Sequence, residues 1–243
     1  ETMNSPKIKD IRVIMTEPDG IRLVVVKILT DQDGLYGVGC ATFTQRPLPV
    51  VMAITDYLRP LLIGRSVVDI EDIWQSSYVS SYWRNGPVLN NALSGVDQAL
   101  WDIKGKMANM PLYDLLGGKA REAAAVYVHA SGSSAEEVGD KMQAFMERGF
   151  HHIRVQVCTP GYSTYGNKSA KSGTDTSSNR DVSQGPIPIT TRLREYDPAK
   201  RYAHPGGIFE PKPYLRSALN LFEYIRDRFG YGVEILHLSL IHI

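Results

Sequence analysis

Ala92-Leu-Ser-Gly-Val-Asp-Gln-Ala-Leu-Trp-Asp-Ile-Lys-Gly105, followed by Met110-Pro-Leu-Tyr-Asp-Leu-Leu-Gly-Gly118, is the stretch on which the fold turns. Ala92, Val96, Ala99, Leu100 and Ile103 recur at three- and four-residue steps and form one apolar stripe of a helix. Pro87 suits the first turn of that helix, where a missing N–H is not needed and a fixed φ helps. The pattern predicts that the helix reaches Lys106. Pro111 to Gly118 then reads as one short helix closed by glycine.

On the N-terminal side, residues 7–15, 21–30 and 35–42 read as strands rich in β-branched side chains. Gly20 and the Asp31-Gln-Asp-Gly34 turn separate them, which predicts an antiparallel meander. Val50 to Leu62 has helical spacing, interrupted by Pro60 and ended at Gly64. Asp69 is placed to cap a further helix through Ile73, Trp74 and Tyr78. Beyond residue 120 the grammar changes. Ala123–His129 reads as a strand, Ser134–Arg148 as a helix stopped by Gly149, and His151–Val157 as a strand. Tyr214–Phe229 reads as a helix and Val233–His237 as a third strand. Strands alternating with helices predict a parallel α/β unit. The polar stretch at about 159–211 exceeds the usual connection length and reads as a functional lid.

Composition narrows the class. Hydrophobic residues make up 43% and charged residues 22%, as in soluble globular proteins. With 27 basic and 26 acidic side chains, nothing points to nucleic acid or an anionic membrane as partner. No apolar run approaches the roughly 18 residues that cross a bilayer, and the first residues show no apolar signal region. Cys40 and Cys158 offer no disulfide framework. They read as small core residues in a reduced, cytoplasmic setting.

The quoted run and its surroundings resemble the enolase superfamily. Within it, residues 6–237 look like the D-mannonate dehydratase family of sugar-acid dehydratases. Four pieces carry this: Gly39-Cys-Ala-Thr-Phe-Thr-Gln-Arg46, Val126-Tyr-Val-His-Ala130, Ile153-Arg-Val-Gln-Val-Cys-Thr-Pro-Gly-Tyr-Ser-Thr-Tyr-Gly166, and Ile225-Arg-Asp-Arg-Phe-Gly-Tyr-Gly-Val-Glu-Ile-Leu-His237. The resemblance implies an α+β capping domain, with an antiparallel meander plus helices, over residues 1–120. A partial β/α (TIM-type) barrel follows over 121–237. A whole barrel needs about 250 residues, so a longer parent is expected. The last six residues, Leu238–Ile243, correspond in back-translation to a reading frame of a sequencing-library adapter, and the natural sequence is expected to depart after His237.

The second barrel strand alternates Ile153, Val155 and Val157 on one face with Arg154 and Gln156 on the other. Packing the apolar face on outer helices turns Arg154 inward, where a charge needs a partner. By itself, an arginine in a short strand is as readily solvent-facing. The resemblance assigns it a role: such an arginine pairs with a tyrosine on the following loop, the base that removes the proton α to the carboxylate. The matching residue is Tyr165, with Tyr162 a competitor because the loop is one residue short of the family spacing. A guanidinium favours phenolate and lowers a phenol pKa of about 10 toward neutrality. His129, at the predicted end of the first barrel strand, matches a substrate-binding histidine; a hydrogen-bonded structural histidine remains the other reading. Thr44 stands where the mannonate-specific pattern has asparagine, which opens gluconate or another aldonic acid as substrate; plain turn polarity also accounts for Thr42, Thr44 and Gln45.

The resemblance further implies Mg²⁺, held by three acidic strand-end residues that stabilise an enediolate. The family's His-Asp-x-His reads His237-Leu-Ser-Leu240 here, and Glu234 comes too early to replace the aspartate, so no metal ligand is assigned within the chain. The implied parent is a hydro-lyase giving a 2-keto-3-deoxy sugar acid, with a small-molecule sugar acid as its partner and a homo-oligomeric state common in the family. The 243-residue chain itself is expected to be inactive and poorly folded. A non-catalytic metabolite-binding relative is the alternative. Racemase-type chemistry, which places lysines on the second strand, is disfavoured by Arg154 and Gln156.

Overall fold

A computed structural model of the chain describes residues 5–18, 21–157 and 211–238. It divides into two compact units, Glu1–Glu122 and Ala123–Ile243.

The first unit opens with β1 (Ile8–Thr16), β2 (Leu23–Thr30) and β3 (Tyr36–Cys40), an antiparallel sheet in the order β1-β2-β3. Strict alternation in β2 buries Val24, Val26, Ile28 and Thr30. In β1 the core residues Ile8 and Ile11 are three apart, which alternation alone forbids. A bulge between Ile8 and Asp10 brings both to one face.

Helices cover that face. α1 (Pro47–Met52) runs into a π-helical segment, Ala53–Leu58, and then α2 (Arg59–Leu62). Pro60 does not break this helix, contrary to expectation. It sits in the first turn of α2, directly after the wider i→i+5 turns that absorb it. Asp69 precedes α3 (Ile70–Val79) as expected, but its side chain makes no cap bond. The long helix α4 (Gly86–Met107) buries Ala92, Val96, Ala99, Leu100 and Ile103. α5 (Leu112–Leu115) ends in Gly117 and Gly118, both at positive φ.

The packing of α4 on β3 is unusually close. A Cβ on Gly37 would lie 1.9 Å from the Ala99 carbonyl oxygen, and one on Gly39 would lie 2.0 Å from that of Gly95. Glycines at the core-facing positions of β3 therefore let the helix backbone in. Cys40 falls on the other face and is exposed, which corrects its reading as a core residue. Cys158 lies outside the described residues.

At this distance the polar ridge of α4 reaches the open edge of β3. Asp102 Oδ2 accepts from the Val38 N–H at 2.9 Å and Gln98 Oε1 from the Cys40 N–H at 3.1 Å. Lys106 Nζ donates to the Tyr36 carbonyl at 2.8 Å.

The second unit holds β4 (Val128–Gly132), α6 (Ala135–Glu147), β5 (His152–Val157), α7 (Pro211–Phe229) and β6 (Glu234–Leu236). The strands are parallel, in the order β4-β5-β6. Ser134 caps α6 by accepting from the Glu137 N–H at 3.3 Å, while Glu137 reaches back to the Ser133 N–H at 2.8 Å. Lys141 and Ser133 together hold the Glu137 carboxyl down at about 2. Ile153, Val155 and Val157 pack with Val138, Met142, Leu221 and Ile225 on the helix side of the sheet.

Candidate functional site

The face of the β4-β5-β6 sheet away from that apolar cluster carries the polar side chains. Parallel register sets His129 beside Arg154 and Ser131 beside Gln156. Ala130 pairs with Val155 and is fully buried with the core, so His129 and Ser131 face the other way.

Arg154 is 5% exposed and Gln156 7%. Arg154 Nη2 donates to Gln156 Oε1 at 3.0 Å. His129 is exposed and stacks on Tyr127 with ring centroids 5.2 Å apart. Desolvation by its surroundings, and then the Arg154 charge, lower its pKa below 6.5. Near neutral pH the imidazole is therefore uncharged and offers one donor and one acceptor. His129, Ala130, Ser131, Arg154 and Gln156 enclose a recess of about 10 Å³, about the room of one water oxygen.

The structure corrects one expectation about His129. It is not the last residue of its strand, because Ala130, Ser131 and Gly132 continue β4 beyond it. The strand also starts at Val128 and not Ala123, because pairing with β5 begins at Val128↔Ile153. Among the described residues, segment 123–127 has no partner strand to hold it extended. Tyr165 and Tyr162, and the lid read at about 159–211 apart from Pro211, lie outside the described residues. Thr44 sits half-buried in the turn between β3 and α1, in the first unit. Its neighbour Thr42 holds the sheet: its Oγ1 accepts from the Val24 N–H at 3.0 Å.

Two polar residues of the recess, Gln156 and Ser131, are given no role by the sequence. Each lies two positions from a residue that has one, so period-two alternation is the signal that finds them.

Magnesium does not fit the residues present. Among the described residues no group of three or more His, Cys, Asp or Glu is placed to hold a metal. Glu234 is exposed at the start of β6, and the ring nitrogen Nδ1 of His237 lies 2.9 Å from the Val155 carbonyl oxygen. No step is assigned to a cation in this chain. Nor is any helix among the described residues long and apolar enough to cross a membrane.

An antiparallel meander packed on helices, followed by parallel strand-helix repeats, defines an enolase-like fold with a capping domain at its N-terminal end. Residues 2–117 match the family model of the mandelate racemase / muconate lactonizing enzyme N-terminal domain. A D-galactonate dehydratase family member of Salmonella virchow is 46% identical over 237 residues, 97% of this chain and 53% of that protein. The D-galactonate dehydratase family member RspA of Pantoea ananatis is 47% identical over 235 residues, again 97% of this chain and 53% of the relative. Among solved structures, an enolase from Pantoea ananatis with bound D-gluconate and Mg superposes with a TM-score of 0.73. It is 46% identical over 96% of this chain and 53% of its own. The chain thus spans about half the length of the relatives it matches. None of these three proteins is described by D-mannonate, so the narrower mannonate expectation draws no support from them.

Proposed function

We propose that the parent of this chain is a Mg²⁺-dependent sugar-acid dehydratase acting on an aldonic acid of the D-gluconate, D-galactonate or D-mannonate type. One observation carries the reading: a guanidinium, Arg154, buried mid-strand on the polar face of a parallel sheet and beside His129 in register. A cation so placed needs an anionic partner. A phenolate base and a sugar-acid carboxylate are both of that kind. The relatives named above support the same class, and the solved enolase has D-gluconate bound.

In this reading Tyr165, held as phenolate by Arg154, takes the proton at C2. The hydroxyl at C3 leaves with a proton as water, and the enol so formed becomes a 2-keto-3-deoxy acid. His129 and Thr44 bind substrate hydroxyls. The Mg²⁺ ligands come from residues outside this chain, which by itself turns over no sugar acid. The parent works as a cytoplasmic homo-oligomer.

The intact gene product, assayed with Mg²⁺ against D-gluconate, D-galactonate and D-mannonate, is expected to form a 2-keto-3-deoxy acid from at least one. Tyr165→Phe is expected to lower kcat about 10³-fold, within the span of a lost general base. Arg154→Met should move the acidic, rising limb of the parent's pH–rate profile upward in pH, because the phenol regains its ordinary pKa. Tight binding of an aldonic acid without product would replace the dehydratase by a metabolite-binding relative.

A further inference from the structure

Arg154 and Gln156 are neighbours on one face of β5, both nearly closed to solvent, and they share a hydrogen bond from Nη2 to Oε1 at 3.0 Å. A guanidinium has donors only. The carbonyl end of the amide must therefore face Arg154, and this fixes which way the amide is turned. Its nitrogen, with two donors, is sent the other way. Among the described residues the Gln156 side chain makes this one hydrogen bond. Its side chain also forms part of the wall of the small recess shared with His129 and Ser131.

An arginine side chain has many rotamers and swings freely unless something directional holds its fork. The apolar residues of β5 cannot do so, because alternation sends Ile153 and Val155 to the opposite face. The acceptor two residues along the same face can.

We propose that Gln156 is a positioning residue: its carboxamide oxygen holds the Arg154 guanidinium in the plane and direction it presents to the recess. This rests on the reading of Arg154 as the partner of the base, and it adds a residue that acts through Arg154. Two groups on neighbouring strands would register a release of the fork. His129, next to Arg154 in register, feels its charge. The guanidinium N–H groups themselves exchange with water only as fast as their bonds allow.

The test uses the full ¹⁵N-labelled chain and needs no turnover. In the parent chain the Arg154 side-chain N–H resonance should be resolved and slow to exchange. Gln156→Glu keeps an acceptor at the same reach and should preserve it. Gln156→Met keeps the length but removes the acceptor. There the resonance should exchange at least tenfold faster and merge with those of exposed arginines, while the backbone amides of Ile153, Val155 and Val157 keep their shifts. The His129 pKa, followed by its ring protons, should rise toward 6.5 in the Met variant. Gln156→Asn, shorter by one methylene, should behave like Gln156→Met and serves if the Met variant unfolds. An unchanged Arg154 resonance in either folded variant overturns the assignment, as does its loss in a folded Gln156→Glu chain. Failure here leaves the dehydratase reading standing. An intact parent that makes no keto acid leaves the positioning role standing.

Discussion

Asp97 on α4 is a carboxylate in the wrong place for stability. Partial burial, and then the like charge of Glu71 on α3, raise its pKa above 3.8. The sign follows from proton binding. Between 3.8 and the raised native value the folded state holds the proton more tightly than the unfolded chain, so stability falls as pH rises through that window. Above it the loss is complete. Asp97→Asn should therefore stabilise the first unit at pH 7, by about 0.5 kcal/mol once solvent screening of a half-open site is allowed for. The gain should vanish below pH 3.8. Urea midpoints at pH 7 and pH 3 measure it; an equal gain at both values would assign the effect to packing. His129 has the opposite sense: its lowered pKa means that stability fully present above 6.5 is lost as pH falls from there through the lowered native value. At this scale the sequence was partly legible. Alternation placed Arg154 on the correct face, since period two is a local property. The Arg154–Gln156 bond was not legible, because it depends on two rotamers. The exposure of Cys40 was hidden for another reason. It follows from glycines at 37 and 39 that admit a helix more than fifty residues away in sequence.

The polar ridge of α4 shows what single elements conceal. Gln98, Asp102 and Lys106 follow at i, i+4 and i+8 and read as an ordinary solvated helix face. In the fold they act as a substitute fourth strand: two side chains accept the outward N–H groups of Val38 and Cys40, and one donates to the Tyr36 carbonyl. An uncovered edge strand pairs readily with another chain. Replacing Gln98, Asp102 and Lys106 together by alanine should expose the β3 edge and produce concentration-dependent association beyond that of the parent chain, read by sedimentation velocity. Adding Val38→Pro removes one outward N–H from an edge position that tolerates proline, and should reverse the association. Association that persists with Val38→Pro would point to general unfolding instead of edge pairing. The apolar stripe of the same helix was legible because it repeats along one element. The ridge was not, because its partners lie some sixty residues earlier. The same distinction explains β4: Val126-Tyr-Val-His has strand chemistry throughout, but among the described residues pairing starts at Val128.

For the whole molecule the useful contrast is between two units, each with its own buried cluster. In the first, β2 is paired on both sides, and Val24, Val26 and Ile28 are fully closed to solvent. Its cluster draws on the sheet, α1 to α4 and the π-helical segment. In the second, β5 is paired on both sides, but one partner, β6, is only three residues long. Its cluster is smaller among the described residues, and the opposite face of the sheet bears Arg154, Gln156 and His129 in place of apolar side chains. Parallel sheets are ordinarily covered on both faces. Since stability scales with apolar area removed from water at roughly 25 cal/mol per Å², the second unit should open first. Native-state hydrogen exchange should show the amides of Val26 and Ile28 outlasting those of Ile153 and Val155, with urea dependences that differ between the two groups. The three tryptophans, Trp74, Trp83 and Trp101, all lie in the first unit, so near-ultraviolet dichroism should be lost with the β2 amides and after the β5 amides, and the chain should fail the test of coincident transitions. One shared opening free energy for both strands would mean that the two units unfold as one, and the polar face around Arg154 would then have to be stabilised by contacts outside its own sheet.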